Sequence, residues 1–327
     1  MSEAAEMTKT TSARGESRLG GLISRSGLLI ALTLLFGLLA IFAPNFLSSR
    51  NLLNVLRAVS FNGMIACAMT FMIISGDIDV SVGSAVAWAS SLLGVLAITL
   101  GWPLLLAVIG VLLVGVTFHL LAGLIRVRLN VPSFVVTLTM FMSLRGGARL
   151  ITGAWSITPF PESFNWWGQG YIAFIPVPVV FMLVTFVIFY FLSRRSVYGR
   201  SVYAVGGNEE AARLSGIRVW RTRLVTYALT GFLAALSGII LSSRISAGSS
   251  KIGQGLEFEV IAAVIIGGTA LSGGQGSIFG TFLGVLFIGL LGNGMVLMGV
   301  DPFAQEVASG LIILVAVVIS ELQKLRK

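Results

Sequence analysis

Ten apolar runs follow one another along this chain, interrupted only by charges, glycines and prolines. They cover about 27–43, 58–75, 82–99, 103–125, 133–151, 175–193, 224–243, 258–271, 278–298 and 304–320. A helix needs about 20 consecutive apolar residues to cross a hydrocarbon layer about 30 Å thick, and most of these runs are of that order. A water-soluble domain of 327 residues cannot bury a chain that is 56% hydrophobic and 11% charged. The fold expected is therefore an all-α integral membrane protein, a polytopic bundle of about ten transmembrane segments. The run between Asp79 and Arg126 is too long for one helix and breaks at Gly101-Trp-Pro103, which predicts a hairpin. The segment at 258–271 is short and ends in glycines, the pattern of a full span or of a re-entrant or broken helix.

Charge orients the bundle. With the N-terminus inside, sixteen of the 22 Lys and Arg residues face the cytoplasm. They lie in the tail, at Arg126 and Arg128, between Arg194 and Arg223, and at Lys324, Arg326 and Lys327. Only Arg50, Arg57, Arg145, Arg149, Arg244 and Lys251 fall outside, so both termini are expected in the cytoplasm. Residues 1–26 read as a disordered tail, 27–323 as the transmembrane domain with a cytoplasmic loop at about 194–223, and 324–327 as a basic tail. No small-residue cleavage site follows the run from Gly27, which reads as a first span and not as a removed signal peptide. The net charge of +9 is spread between spans instead of gathered in a patch, so it is a topology signal and gives no reason to expect nucleic acid.

The basic loop contains a polar island, Gly207-Asn-Glu-Glu-Ala-Ala-Arg-Leu-Ser-Gly-Ile217. It predicts a two-turn surface helix. Asn208 is the N-cap, Glu209 and Glu210 lie in the first turn where the helix dipole favours negative charge, and Gly216 is the stop. Ala211, Leu214 and Ile217 form a small apolar stripe on it, with Ala212 beside them. A membrane protein that keeps a capped amphipathic helix in its largest basic loop is expected to touch another protein with it.

Asp77 and Asp79, in Gly76-Asp-Ile-Asp-Val-Ser-Val-Gly83 with Ser81, are the only acids between Glu16 and Glu162. At depth they would face a cavity and belong to a gate or pathway; in a turn, Asp79 would cap the next helix. A second glycine-rich break runs from Ile266 through Gly267, Gly268 and Thr269 to Ser277. Each break precedes an outward segment with a Gly-Val-Leu-x-Ile string, at Gly94 and Gly284, hinting at a parallel internal repeat. Gly276, Gly280 and Gly284 make a ridge for close helix packing, within the chain or between subunits. Trp155, Trp166, Trp167 and Tyr171 read as an interfacial aromatic belt or as part of a docking face.

Other functions find little support. The lone His119 reads as a packed or interhelical hydrogen-bonding residue, and the single cysteine, Cys67, as a small hydrophobe. No G-x-x-x-x-G-K-[ST] loop is present, and one histidine supplies neither a catalytic set nor a metal cluster. No catalytic residue, cofactor or metal is expected.

The Gly76–Gly83 string, the loop from Gly199-Arg200 through Gly206 to Ile217, and Ala262-Ala-Val-Ile-Ile-Gly-Gly-Thr269 through Gly273-Gly-Gln-Gly-Ser277 resemble one family. With Gly292-Asn-Gly-Met295 and Asp301-Pro-Phe303, they are similar to the transmembrane permeases of ABC importers for ribose, xylose, arabinose and related monosaccharides. That group is related to branched-chain amino acid permeases. The resemblance implies a bacterial inner-membrane protein whose helix at 208–217 couples to a separate ABC ATPase subunit. It also implies a second permease chain, identical or related, and an external sugar-binding protein, for which Arg50, Arg57, Arg244 and Lys251 are docking candidates. Two alternatives accompany it: an ion-gradient-driven transporter using Asp77 or Asp79, and an ABC permease for a branched-chain amino acid, nucleoside or signalling furanose.

Overall fold

The computed structural model describes residues 27–325; the tail at 1–26 and residues 326–327 lie outside the described residues. The chain forms α1 (Gly27–Phe42), α2 (Ser49–Ile74), α3 (Val82–Gly94) with a π-helical turn (Val95–Thr99), α4 (Leu104–Arg128) and α5 (Ser133–Thr152). Next follow α6 (Glu162–Gln169) and the hairpin β1 (Tyr171–Ile172) and β2 (Ile175–Pro176). The remainder is α7 (Val177–Arg195), α8 (Val197–Gly207), α9 (Glu209–Leu214), α10 (Val219–Ile245), α11 (Leu256–Ile266), α12 (Ile278–Leu297) and α13 (Pro302–Leu325). α13 takes in Lys324 and Leu325.

Prolines set several helix starts. Pro103, Pro132 and Pro176 each stand at an N-cap with extended ψ, so α4, α5 and α7 begin where the missing amide hydrogen costs nothing. Arg126 and Arg128 end α4, and Arg194 and Arg195 end α7, where cations suit the helix dipole. Among the described residues, seven helices are long and apolar enough to cross a membrane: α2, α3 with its π turn, α4, α5, α7, α10 and α12. α1 is apolar but shorter, and α11 has only 11 residues. The apolar run at 258–271 is thus a helix of about three turns followed by a glycine break.

α2 and α10 are the axis of the bundle. Every residue from Gly63 to Ile74 is buried, and α10 packs on α2, α3, α4 and α6. Close approach depends on absent side chains: a Cβ on Gly231 would strike the Gly115 carbonyl and the His119 ring, and one on Gly238 the Val86 carbonyl. α4 and α7 turn Leu105, Leu113, Val184, Val187 and Phe191 outward, an apolar exterior suited to lipid.

Two stretches enter the bundle without helix. Residues 75–81 lead from α2 into α3, and 246–255 descend along α3 from Gly94, which packs on Gly248, to Gly83, which packs on Gly253. Arg145 holds the second stretch, donating to the carbonyls of Ser250, Ile252 and Gly253 at 3.1, 2.7 and 3.0 Å. This corrects the expectation for Arg145, which is a buried clamp and not an outer charge, because the descending segment brings it three acceptors. The Gly-Val-Leu-x-Ile strings do not correspond in height: Gly94 ends α3, whereas Gly284 lies within the first half of α12. The ridge of Gly276, Gly280 and Gly284 packs inside the chain, with Gly280 against Gly267 and Gly284 against the Ala263 carbonyl.

Candidate coupling and gating site

α9 has six residues, fewer than two turns. Asn208 caps it by accepting from the Ala211 amide at 2.9 Å, and Gly216, at φ +84°, ends it with its amide on the Arg213 carbonyl. Its sides differ. Ala212 is buried, while Glu210, Ala211, Arg213 and Leu214 are exposed, Leu214 at 74%. Glu210 pairs with Arg213 along the outer side, and that guanidinium holds its carboxyl below the ordinary range.

Glu209 points the other way. Arg223, the fifth residue of α10, donates from its two terminal nitrogens to the two Glu209 carboxylate oxygens at 2.9 and 2.7 Å. Nε of the same guanidinium lies 3.2 Å from Oδ2 of Asp77, whose Oδ1 accepts from Nε of Arg126 at 2.9 Å. Arg126 in turn donates to Asn130 at 3.2 Å. Asp77 is 1% exposed, so two guanidiniums offset its desolvation, and removing either leaves a charge inside the protein.

Asp79 sits deeper. Its Oδ1 accepts from the amide of Ser81 at 2.7 Å and from the Ser81 hydroxyl, and Oδ2 faces Nε2 of His119 at 3.3 Å. Nδ1 of His119 meets the Gly115 carbonyl at 3.0 Å. Asp79 therefore organises the turn ahead of α3, while Ser81 occupies the N-cap. Thr137 of α5 clamps the same stretch, accepting from Val80 N and donating to Ile78 O, and Ser133 accepts from Ile78 N.

The second glycine break reaches the same place. The Gly274 amide donates to the Ile74 carbonyl at 2.8 Å, and Tyr203 donates to Gly276 O at 3.0 Å. A Cβ on Gly206, at the end of α8, would collide with that Ile74 carbonyl and with Gly274 N. The two breaks and the entry to α9 thus share one backbone joint. Gly273 and Gly274 make the contact; Gly267 packs on α12, Gly268 lies in an exposed left-handed turn, and Thr269 is buried.

A family model described as the permease component of the branched-chain amino acid transport system matches residues 51–319. The chain belongs to this permease family. Among curated proteins, the permease is 47% identical over 297 residues to the probable ABC transporter permease protein YphD of Escherichia coli, covering 90% of this chain and 89% of that one. It is 40% identical over 301 residues to the ribose import permease protein RbsC of Bacillus subtilis, covering 91% and 93%. The xylose transport system permease protein XylH of Haemophilus influenzae is 34% identical, with 83% and 89% covered. No solved structure matches the chain at a significant level.

On the opposite side of the permease, the four docking candidates separate. Arg57 lies over the Tyr171 ring at 5.0 Å and donates to Gln169 O at 3.3 Å; Arg244 lies over Phe61 at 5.4 Å. Both are half-buried and engaged, whereas Arg50 and Lys251 are exposed. Lys251 belongs to the descending stretch, between the levels of Gly94 and Gly83. Trp155 is 78% exposed, and Trp167 stacks on Phe181 at 5.8 Å. Sequence reasoning took Arg126 and Arg223 as topology charges, missing that they hold Asp77; the interhelical role open to His119 is its contact with Asp79. The available signal was that both arginines flank predicted spans on the side of the aspartates.

Proposed function

We propose that this permease is the membrane subunit of an ATP-driven importer of a monosaccharide, with α9 docking on a separate ATPase subunit. The carrying observation is that Arg223 grips Glu209 of α9 and Asp77 of the first break with one guanidinium. A pull on α9 is transmitted to the floor of the bundle through a rigid planar group and through the Gly206–Ile74 backbone contact. Exposed Leu214 gives the outer side of α9 an apolar anchor for the motor.

The cargo class follows from relatives named for ribose, xylose and arabinose transport. In this reading two permease chains pair in the bacterial inner membrane with both termini in the cytoplasm, an external sugar-binding protein delivers the cargo, and ATP closure biases the bundle between two states. The ion-gradient alternative that uses Asp77 or Asp79 needs one of these carboxylates available to a cation, whereas Asp77 is held by two arginines and Asp79 faces His119.

The test is uptake of labelled D-ribose, D-xylose and L-arabinose by cells carrying the full transporter. Glu209→Lys and Gly216→Pro should each abolish uptake while the protein stays in the membrane. Uptake surviving both changes overturns the coupling assignment, and gradient-driven uptake by the purified chain without a nucleotide-binding partner overturns the importer reading.

A further inference from the structure

The apolar helix α11 carries a glutamate that faces outward. Glu259 is exposed, and its Oε2 accepts from Nδ2 of Asn62 on α2 at 2.6 Å. Depth follows from the helix register. Asn62 stands 13 residues after Ser49 and 12 before Ile74 on α2. At 1.5 Å per residue it is about 20 Å from one end of the helix and about 18 Å from the other. The pair therefore lies near the middle of a hydrocarbon layer about 30 Å thick. An ionised carboxylate there costs about 2.5–3.5 kcal/mol even on insertion scales, so its outward face does not meet lipid.

Three surrounding features indicate water. Arg50, Asn54 and Ala58, at intervals of four, are exposed above Asn62 on α2 and lead from its outer end to the pair. Below Asn62 the helix closes completely, every residue from Gly63 to Ile74 being buried. Lys251, a second exposed charge below the outer rim, lies on the irregular stretch that feeds α11. Irregular backbone and a half-length helix at membrane depth are tolerated where they line a cavity, and such broken helices mark substrate sites.

We infer that Asn62 and Glu259 form a hydroxyl-binding station for a neutral sugar on the translocation path, at the floor of this exposed stripe. Glu259 Oε1 and Asn62 Oδ1 accept from sugar hydroxyls, and the second Asn62 Nδ2 hydrogen donates to one. Their number suits passage: two acceptors and a donor orient a polyol without trapping it. The inference rests on the importer reading above and adds the residues that meet the cargo.

The test uses Asn62→Cys and Glu259→Cys in the assembled transporter, with buried Cys67 as an internal blank and lipid-facing Leu113→Cys on α4 as control. Membranes are treated with a charged, membrane-impermeant methanethiosulfonate during turnover. Both station cysteines should react at least about a hundredfold faster than Leu113→Cys, because a thiol in hydrocarbon does not ionise. Delivery of D-ribose, D-xylose or L-arabinose by the binding protein should slow that reaction for whichever sugar is carried. In parallel, Glu259→Leu should lower the uptake rate at limiting sugar by about ten- to a hundredfold, the loss of a charge-assisted hydrogen bond, with Glu259→Gln intermediate. Station cysteines as inert as Leu113→Cys, or full uptake by Glu259→Leu, overturn the station and leave the importer reading intact. Failure of the unmodified transporter to carry any of the three sugars overturns the importer reading instead.

Discussion

Nε of Arg223 lies 3.2 Å from Asp77 while the terminal nitrogens of the same guanidinium hold Glu209, so one side chain serves a buried carboxylate and a half-exposed one together. The two contacts are unequal. Removing Arg223 takes a partner from Asp77 inside the protein and should cost about 3 kcal/mol; removing Glu209, half in water, should cost about 1 kcal/mol or less. Thermal unfolding in detergent of Arg223→Ala and Glu209→Ala should show that order. The exchange Glu209→Arg with Arg223→Glu should not restore uptake, because the new glutamate would face Asp77. Recovery in the exchanged protein would mean that the link to Asp77 is dispensable.

Neighbouring glycines should behave oppositely. A Cβ at Gly206 meets the Ile74 carbonyl and Gly274 N, whereas one at Gly207 meets nothing within 4 Å. Gly206→Ala should destabilise by about 1–3 kcal/mol through overpacking and abolish uptake, while Gly207→Ala should be tolerated. Uptake and melting temperature of the two variants check this, and equal behaviour would refute the backbone joint.

Arg145→Met should loosen one segment selectively. Three carbonyls between Ser250 and Gly253 lose their donor, at a cost of about 3 kcal/mol within a buried site. Amide exchange across 246–255 should accelerate, while that of α10 above it should not. A uniform rise across the bundle would show that Arg145 has a global role instead.

Asn51 and Asn293 exchange side-chain hydrogen bonds at 3.1 and 2.9 Å between α2 and α12. Asn51→Leu should cost about 1 kcal/mol, and adding Asn293→Leu should return part of it by removing the stranded amide. A double-mutant cycle on melting temperature tests the coupling; strict additivity would deny it.

The elements most legible in the sequence were those determined by nearest neighbours. The apolar runs at 103–125, 133–151 and 175–193 became α4, α5 and α7, and Asn208 and Gly216 delimit α9. What stayed hidden depends on distant chain. Arg145 looked like a charge at the end of a span because its acceptors come from a segment about a hundred residues later. The alliance of Asp77 with Arg126 and Arg223 brings together three helix ends that no local pattern relates. Glu259 did leave a trace, an acid inside an apolar run, but that run was read for its glycines.

The opposed sides of α9 divide the demands placed on one short helix. Glu209 and Ala212 answer to the interior of this chain, whereas Glu210, Ala211, Arg213 and Leu214 answer to whatever lies beyond it. Selection on one set leaves the other nearly untouched, since they point apart on six residues. On the proposed coupling role, a permease of this build can therefore change the motor it works with by altering its outward four side chains, while the contact that reaches Asp77 stays as it is.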